Sequence, residues 1–405
     1  MKATFSYRAR DANGQLIKGT IEARDEASAF DTLKAQGLFV TGLTRDEVKE
    51  RTVIAVPERL SGGKLNLVQL SRIARHMSIM MTAGVGLSPA LHTLAEQAES
   101  KLEKEVLDTA RVKVDAGMPL ARSLADTGAF PQLFLHMVEA GEASGKLDDV
   151  LARLAAYFDR DYDLRQRIKG AMTYPAVIAV FAVIIVIVLL GTVVPSFAGV
   201  LEESGVPLPG LTKALISIGT FIRARWYVLI GVFALIVLLA RYYVRTDEGS
   251  YRWDSAVLKL PVIGNFTMKV IVVRFSETLA SLVGAGVPIL QSLEIVERVV
   301  GNQVVALGLR EVRSGVREGA GIAAPLAEAA IFPPVVAQMV AIGEESGAID
   351  QVLIKLAEFY EKEVDRGIKS LTSIIEPVLI AVVGISVGLI VAAVMLPMFE
   401  MVQVL

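Results

Sequence analysis

The chain contains its own second half. Residues 72–197 align with residues 274–399 at one constant offset (274 − 72 = 202) and without a gap. Ala83-Gly84-Val85 pairs with Ala285-Gly286-Val287, and Phe130-Pro131 with Phe332-Pro333. Pro175 pairs with Pro377, and Pro195 with Pro397. Each copy is a polar block of helical periodicity running into a long apolar block. Whatever one copy folds into is built twice in the same sense.

The apolar blocks set the environment. Residues 175–197 and 377–399 carry no charge, and a helix needs about 20 such residues to cross a bilayer. The 53% hydrophobic content agrees. Residues 226–240 form a third apolar run, with Trp226, Tyr227, Tyr242 and Tyr243 at its ends and Arg223, Arg225, Arg241 and Arg245 placed to snorkel. Parity requires that third run. Two like-facing copies each end in a span, so the chain must cross back between them, which makes them parallel repeats about an axis near the membrane normal. Arg160, Arg165, Arg167 and Lys169 precede the first span, Arg241, Arg245 and Arg252 follow the second, and Lys362, Arg366 and Lys369 precede the third. By the positive-inside rule this side is cytoplasmic. The N-terminal residues lack the apolar run of a signal peptide and are expected to stay there too.

The fold expected is a mainly α membrane protein. It has two tandem parallel repeats of a cytoplasmic helical bundle, each followed by a transmembrane helix, with one linking transmembrane helix and a small N-terminal α+β domain. The expected boundaries are 1–45 for the α+β domain and 46–64 for a linker. Bundle one is 65–170, span one 171–198, a short periplasmic segment 199–222 and span two 223–244. Bundle two is 245–371, span three 372–399 and a periplasmic tail 400–405. In the small domain, Phe5, Tyr7 and Ala9 and then Ile17, Gly19, Ile21 and Ala23 alternate around a turn at 11–14, which predicts a hairpin. A helix over 25–36 would bury Ala29, Phe30 and Leu33, and 38–43 has the pattern of a third strand. In each bundle the last helix opens near Leu147 or its counterpart and can run on into the membrane. Pro175 and Pro377 are expected to kink it at membrane entry.

Few residues carry a chemical signature. No phosphate loop and no nucleophile elbow occurs, and His76, His92 and His136 lack metal-ligand spacing. With no cysteine, thiolate sites and disulfides are excluded. A net charge of −2 gives no reason to expect nucleic acid. No catalytic residue, cofactor or metal is therefore assigned. Glu376 and its counterpart Tyr174 stand at the starts of the spans. The sharpest local signal is a repeated corner: Gly141, Glu142, Ser144, Gly145 and Asp148, then Gly343, Glu344, Ser346, Gly347 and Asp350. It reads first as a capped helix–turn–helix. It can also dock a partner, and Glu139, Glu142, Asp148 and Asp149 would be the donors if it held a hard cation.

These features together resemble the platform proteins of type II secretion and type IV pilus assembly, the GspF/PilC family. The resemblance rests on Phe5, Tyr7, Ala9, Asp11 and Gly14, the two Ala-Gly-Val turns, the two corners, Tyr174-Pro175 and Glu376-Pro377, and Pro195 and Pro397 with Phe197 and Phe399. Where the first copy has Gly86 the second has Pro288, which is expected to shift a helix start. The resemblance implies a non-enzymatic inner-membrane protein. Its implied partners are a cytoplasmic secretion or assembly ATPase, other inner-membrane assembly proteins, pilin-like or pseudopilin subunits, membrane lipid and further copies of itself. A small-solute transporter built from parallel repeats is the alternative, weakened by spans without ionisable residues.

Overall fold

The computed structural model describes residues 3–10, 16–23, 26–35, 39–45, 63–197 and 210–404. They fall into two units, 1–62 and 63–405. In the first unit β1 (Ala3–Arg10), β2 (Leu16–Ala23) and β3 (Phe39–Arg45) form an antiparallel sheet in the order β2-β1-β3. β3 pairs with β1, with a register shift at Arg8/Ala9. The turn expected at 11–14 lies outside the described residues. Helix α1 (Glu26–Ala35) buries Ala29 and Leu33 completely. Phe30, expected beside them, is 44% exposed. Phe30 lies about 100° around the helix from Ala29, which puts it at the edge of the Ala29/Leu33 face.

The second unit holds both copies. The first comprises α2 (Leu67–Thr82), α3 (Leu87–Glu96), α4 (Lys101–Asp115), α5 (Leu120–Ala125), α6 (Gln132–Ser144) and α7 (Leu147–Val188). Helices α8 (Gly210–Val244) and α9 (Asp247–Lys259) lead to the second. It comprises α10 (Ile263–Gly284), α11 (Ile289–Val299), α12 (Gln303–Arg317), α13 (Ala323–Glu328), α14 (Pro334–Ser346) and α15 (Ile349–Val404). Helices α4 and α12, and α6 and α14, start and stop at equivalent positions.

Local chemistry explains that agreement. Ser100 and Asn302 occupy the same cap position, and each accepts backbone N–H bonds from the first turn of its helix. Asn66 and Gln69 form a reciprocal capping box on α2, both bonds at 2.9 Å. The helix start expected to shift does not. Gly86 and Pro288 both adopt extended backbone (φ −66° and −55°), and α3 and α11 begin one residue later in each copy. Pro89 sits inside the first turn of α3, where a missing N–H costs nothing.

The two cores solve one packing problem differently. In the first copy Phe134 on α6 packs on Phe130, ring centroids 4.8 Å apart, opposite Ile73 on α2. In the second, Val336 replaces Phe134 and Phe275 replaces Ile73, and Phe275 packs on Phe332 at 4.6 Å. The same space is filled from the opposite helix, a swap that roughly conserves volume.

Helix α7 and its continuation run from Leu147 to Phe197 (51 residues), and α15 runs from Ile349 to Met395 (47 residues) within its span-forming part. Both are long and apolar enough to cross a membrane. The chain is a mainly α membrane protein with two repeats. Pro175 and Pro377 each sit inside a continuous helix. A π-turn over Leu189–Val193, unforeseen in the sequence, lies further along the first.

The middle segment departs from expectation. Helix starts at Gly210, within the stretch expected to be a short connection, and breaks at Arg225 (φ −131°, ψ 28°). The pieces Gly210–Val228 and Ile230–Val244 meet at 57° and are apolar enough to span only when taken together. The pair α9 and α10 is together as long and apolar, but it bends by 112°, and α10 is buried in the second bundle. The early turns of α8 are helical because they have something to pack on. Leu215, Ile216 and Ile222 close over Leu190, Val194 and Ile390. Thr212 donates to the Ala393 carbonyl (2.6 Å). Gly219 lies so near the Leu190 carbonyl that a Cβ there would sit 2.2 Å from its oxygen.

Candidate functional site

The repeated corner has the same atomic construction in both copies. Helix α6 ends at Gly145 (φ 69°, ψ 17°) and α14 at Gly347 (φ 68°, ψ 12°), both left-handed. Lys146 and Ala348 donate back to the carbonyls of Gly141 and Gly343 (3.0 Å), and Gly145 and Gly347 to Glu142 and Glu344 (3.3 Å), which is a Schellman cap. Ser144 and Ser346 turn their hydroxyls onto Ala140 and Ile342 (2.7 Å). Gly141 and Gly343 face the opening turn of the next helix. A Cβ on either would lie 3.1 Å from Val150 Cβ or 2.9 Å from Ile349 Cα.

The motif glutamates reach across the bundle. Glu142 accepts the backbone N–H groups of Leu120 and Ala121, the latter at 2.9 Å. Glu344 accepts those of Ile322 (2.9 Å) and Ala323 (3.1 Å). These are the free donors at the starts of α5 and α13, whose preceding residues, Pro119 and Ile322, supply no side-chain cap. A carboxylate there satisfies the amides and the positive helix end together. It ties α6 to α5, and α14 to α13.

The cation grouping of Glu139, Glu142, Asp148 and Asp149 does not form. Among the described residues no cluster of three or more such side chains has metal-holding geometry. Glu142 is occupied by the α5 amides, and Glu139 turns to His136 (3.3 Å). Asp148 and Asp149 stand in the first turn of α7, and Asp350 in that of α15. The Asp148 carbonyl accepts from Ser78 on α2 (2.9 Å).

What the sequence did not disclose is the seam between the copies. Helix α7 packs along α15 and reaches α10. Tyr157 meets Thr278 (3.1 Å), Arg160 approaches Glu277 (3.8 Å), Arg167 pairs with Asp365 (3.1 Å), and His136 meets Gln291 (2.7 Å). The first corner therefore faces the second copy: Ala140, Ala143 and Ser144 line a groove of about 340 Å³ with Ala285, Val287 and Pro288. The available signal was one position where the copies differ in charge, Arg75 against Glu277. Arg75 and Asp159 form an ion pair in the first copy. Their counterparts are Glu277 and Glu361, two acids. Burial, then the like charge of Glu361, pushes the Glu277 carboxyl up to about 8. Burial also raises the Tyr157 phenol.

Fold and corner together define a class: a membrane protein of two parallel helical repeats, each joining a capped corner to a span by one unbroken helix. The profile of the family described as type II secretion system (T2SS), protein F, matches residues 73–195 and again 275–397, and that of the family's N-terminal domain matches residues 2–44. The chain is 38% identical over 402 residues to the type IV pilus assembly protein PilC of Thermus thermophilus, covering 99% of this chain and 98% of that one. It is 34% identical over 406 residues to the type II secretion system protein F of Vibrio cholerae, covering 98% of each. The chain belongs to the type II secretion system protein F family.

Proposed function

We propose that this chain is a non-enzymatic inner-membrane platform that couples a cytoplasmic ATPase to the assembly of pilin-like subunits, in pilus biogenesis or type II secretion. The carrying observation is the unbroken helix from each corner into a span, Leu147–Phe197 and Ile349–Met395. A rigid helix delivers a displacement of its cytoplasmic end to its membrane end. A corner clasped by Glu142 or Glu344 makes each bundle move as a body. The basic residues from Arg160 to Lys169 and from Lys362 to Lys369 favour both bundles, and with them the N-terminus, on the cytoplasmic side. In this reading the ATPase docks on bundle surface left free by the seam, and the spans meet lipid, other assembly proteins and the pilin-like subunits. The segments 65–170 and 245–371 are the bundles, and 223–244 completes the return crossing.

The experiment is co-purification of the assembly ATPase from the same genome with the full chain in detergent. Retention with the intact chain, and its loss when exposed bundle residues are charge-reversed while the chain stays folded, supports the reading. Equal recovery with and without the chain contradicts it.

A further inference from the structure

Helix α9 begins and ends beside apolar runs. Helix α8 closes at Val244 and α9 opens at Asp247, so α9 starts where the chain leaves the apolar run of α8. Its other end turns into α10 through the 112° bend. Helix α10 runs antiparallel to α15. Gly284 lies beside Asp350, Lys269 pairs with Glu363 (2.8 Å), and Gly367 packs on the Phe266 ring. The opening turn of α10 is therefore level with Lys369, after which α15 carries a single charge, Glu376, through Phe399. The 13 residues of α9, roughly 20 Å of helix, thus join the exit of one apolar run to the entry of another.

The side chains of α9 sort into stripes. Ser250 and Asp254 face the second bundle, and Asp254 caps α12 by accepting the Gln303 N–H (2.6 Å). Trp253, Ala256 and Leu260 follow at i, i+3 and i+7 on an adjoining face. All three are exposed, Trp253 by 57% and Leu260 by 48%. Val262 and Ile263 carry the apolar stripe around the bend, each 45% exposed. The charged residues Glu248, Arg252 and Lys259 occupy a separate stripe, with Arg252 paired to Glu248 (2.6 Å). The bend itself is tightly built. Gly264 sits so near the Leu258 carbonyl that a Cβ there would lie 2.0 Å from its oxygen. Val262 is held in left-handed backbone (φ 69°), which a β-branched residue avoids unless its surroundings impose it.

We infer that α9 is an in-plane anchor, lying along the membrane with its Trp253-to-Ile263 stripe in the headgroup–acyl boundary of the bilayer. A helix whose two ends both sit at membrane entry runs along the surface, not through it. An amphipathic helix is stabilised there, because its apolar stripe leaves water while its charges stay wet. Tryptophan suits that depth, since its ring is apolar and its N–H still finds polar partners. The bilayer is the occupant because the stripe continues from the apolar runs of α8 and α15. The anchor also accounts for the apolar composition of the α9–α10 pair without a further crossing. It fixes the height and tilt of the second bundle independently of that bundle's own span. The inference takes α8 as a crossing, as the proposed function does, and is independent of ATPase coupling.

Trp226 and Trp253 are the only tryptophans, and both are exposed, so one conservative change isolates either. Full-length chain carrying Trp226→Phe is reconstituted in phosphatidylcholine vesicles, with and without phosphatidylcholine brominated on its acyl chains, and Trp253 fluorescence is read. The expected result is blue-shifted emission that bromine near the headgroup quenches more strongly than bromine near the chain end, with weak quenching by iodide. Full-length chain carrying Trp253→Phe reports Trp226 on α8 as the control. Two results overturn the inference while Trp226 still responds to bromolipid. One is quenching of Trp253 by iodide and not by bromolipid. The other is shielding of Trp253 from both quenchers, as a protein partner on the stripe would give. If neither tryptophan responds to bromolipid, the α8 crossing fails and the anchor fails with it.

Discussion

Glu142 and Glu344 show what one side chain does for this architecture. Each closes two amides that no local residue caps. Removing either by Glu→Ala leaves part-buried N–H groups without partners, a loss of roughly 1–3 kcal/mol. The expected outcome is a lower thermal midpoint, with faster hydrogen exchange at Leu120 and Ala121, or at Ile322 and Ala323. Unchanged exchange would remove the clasp from the account. The caps were legible because a left-handed glycine after a helix is a local signal. The clasp was not, because its partners lie some twenty residues upstream and meet the glutamate only in the folded bundle.

Glu277 carries the second prediction at this scale. Its folded pKa, about 8, lies above the ordinary glutamate value. Between those values the folded chain binds more protons than the unfolded one, so stability falls as pH rises through that window. Replacement by Glu277→Gln should therefore leave the chain little changed near pH 5 and make it more stable than the parent above pH 8. Thermal midpoints across pH 5–9 measure this. A difference that stays flat with pH contradicts it.

At the level of elements, most of the helices were readable and most of the contacts were not. The corner glycines and the opening of α7 near Leu147 were placed well, because those signals act within a turn. The swap of Phe134 for Phe275 across one core is invisible to periodicity, which places a residue on a face without naming what it meets. Helix α8 was missed at its start for the same reason. Its first turns draw their order from Leu190, Val194 and Ile390, which lie far away in sequence. Gly219 is the test of that packing. A Gly219→Leu side chain would collide with the Leu190 carbonyl, and overpacking of this kind costs about 1–3 kcal/mol. The change should lower the detergent melting temperature and expose the π-turn region to protease. Wild-type behaviour would mean that α8 does not pack there.

The whole molecule follows from duplication. A repeat with no gap made the fold class, the two spans and the corners legible, because each signal occurred twice in register. How the copies meet was not legible. The seam combines positions where they differ, such as Tyr157 against Phe359 and Glu277 against Arg75, with charges that both copies keep, such as Arg167 and Lys369, and a repeat alignment does not say which copy's residue is engaged. The function proposed above depends on the connection from each bundle to its span. Inserting a short flexible glycine–serine segment after Asp163, after Asp365, or after both, breaks that connection at the membrane end of the bundle, at the cost of the Arg167–Asp365 pair. The measurement is pilus assembly or protein secretion in cells whose only platform is the variant, at matched membrane abundance. The account predicts loss of assembly, with the double insertion at least as severe as either single one. Normal assembly with both insertions in place would contradict it.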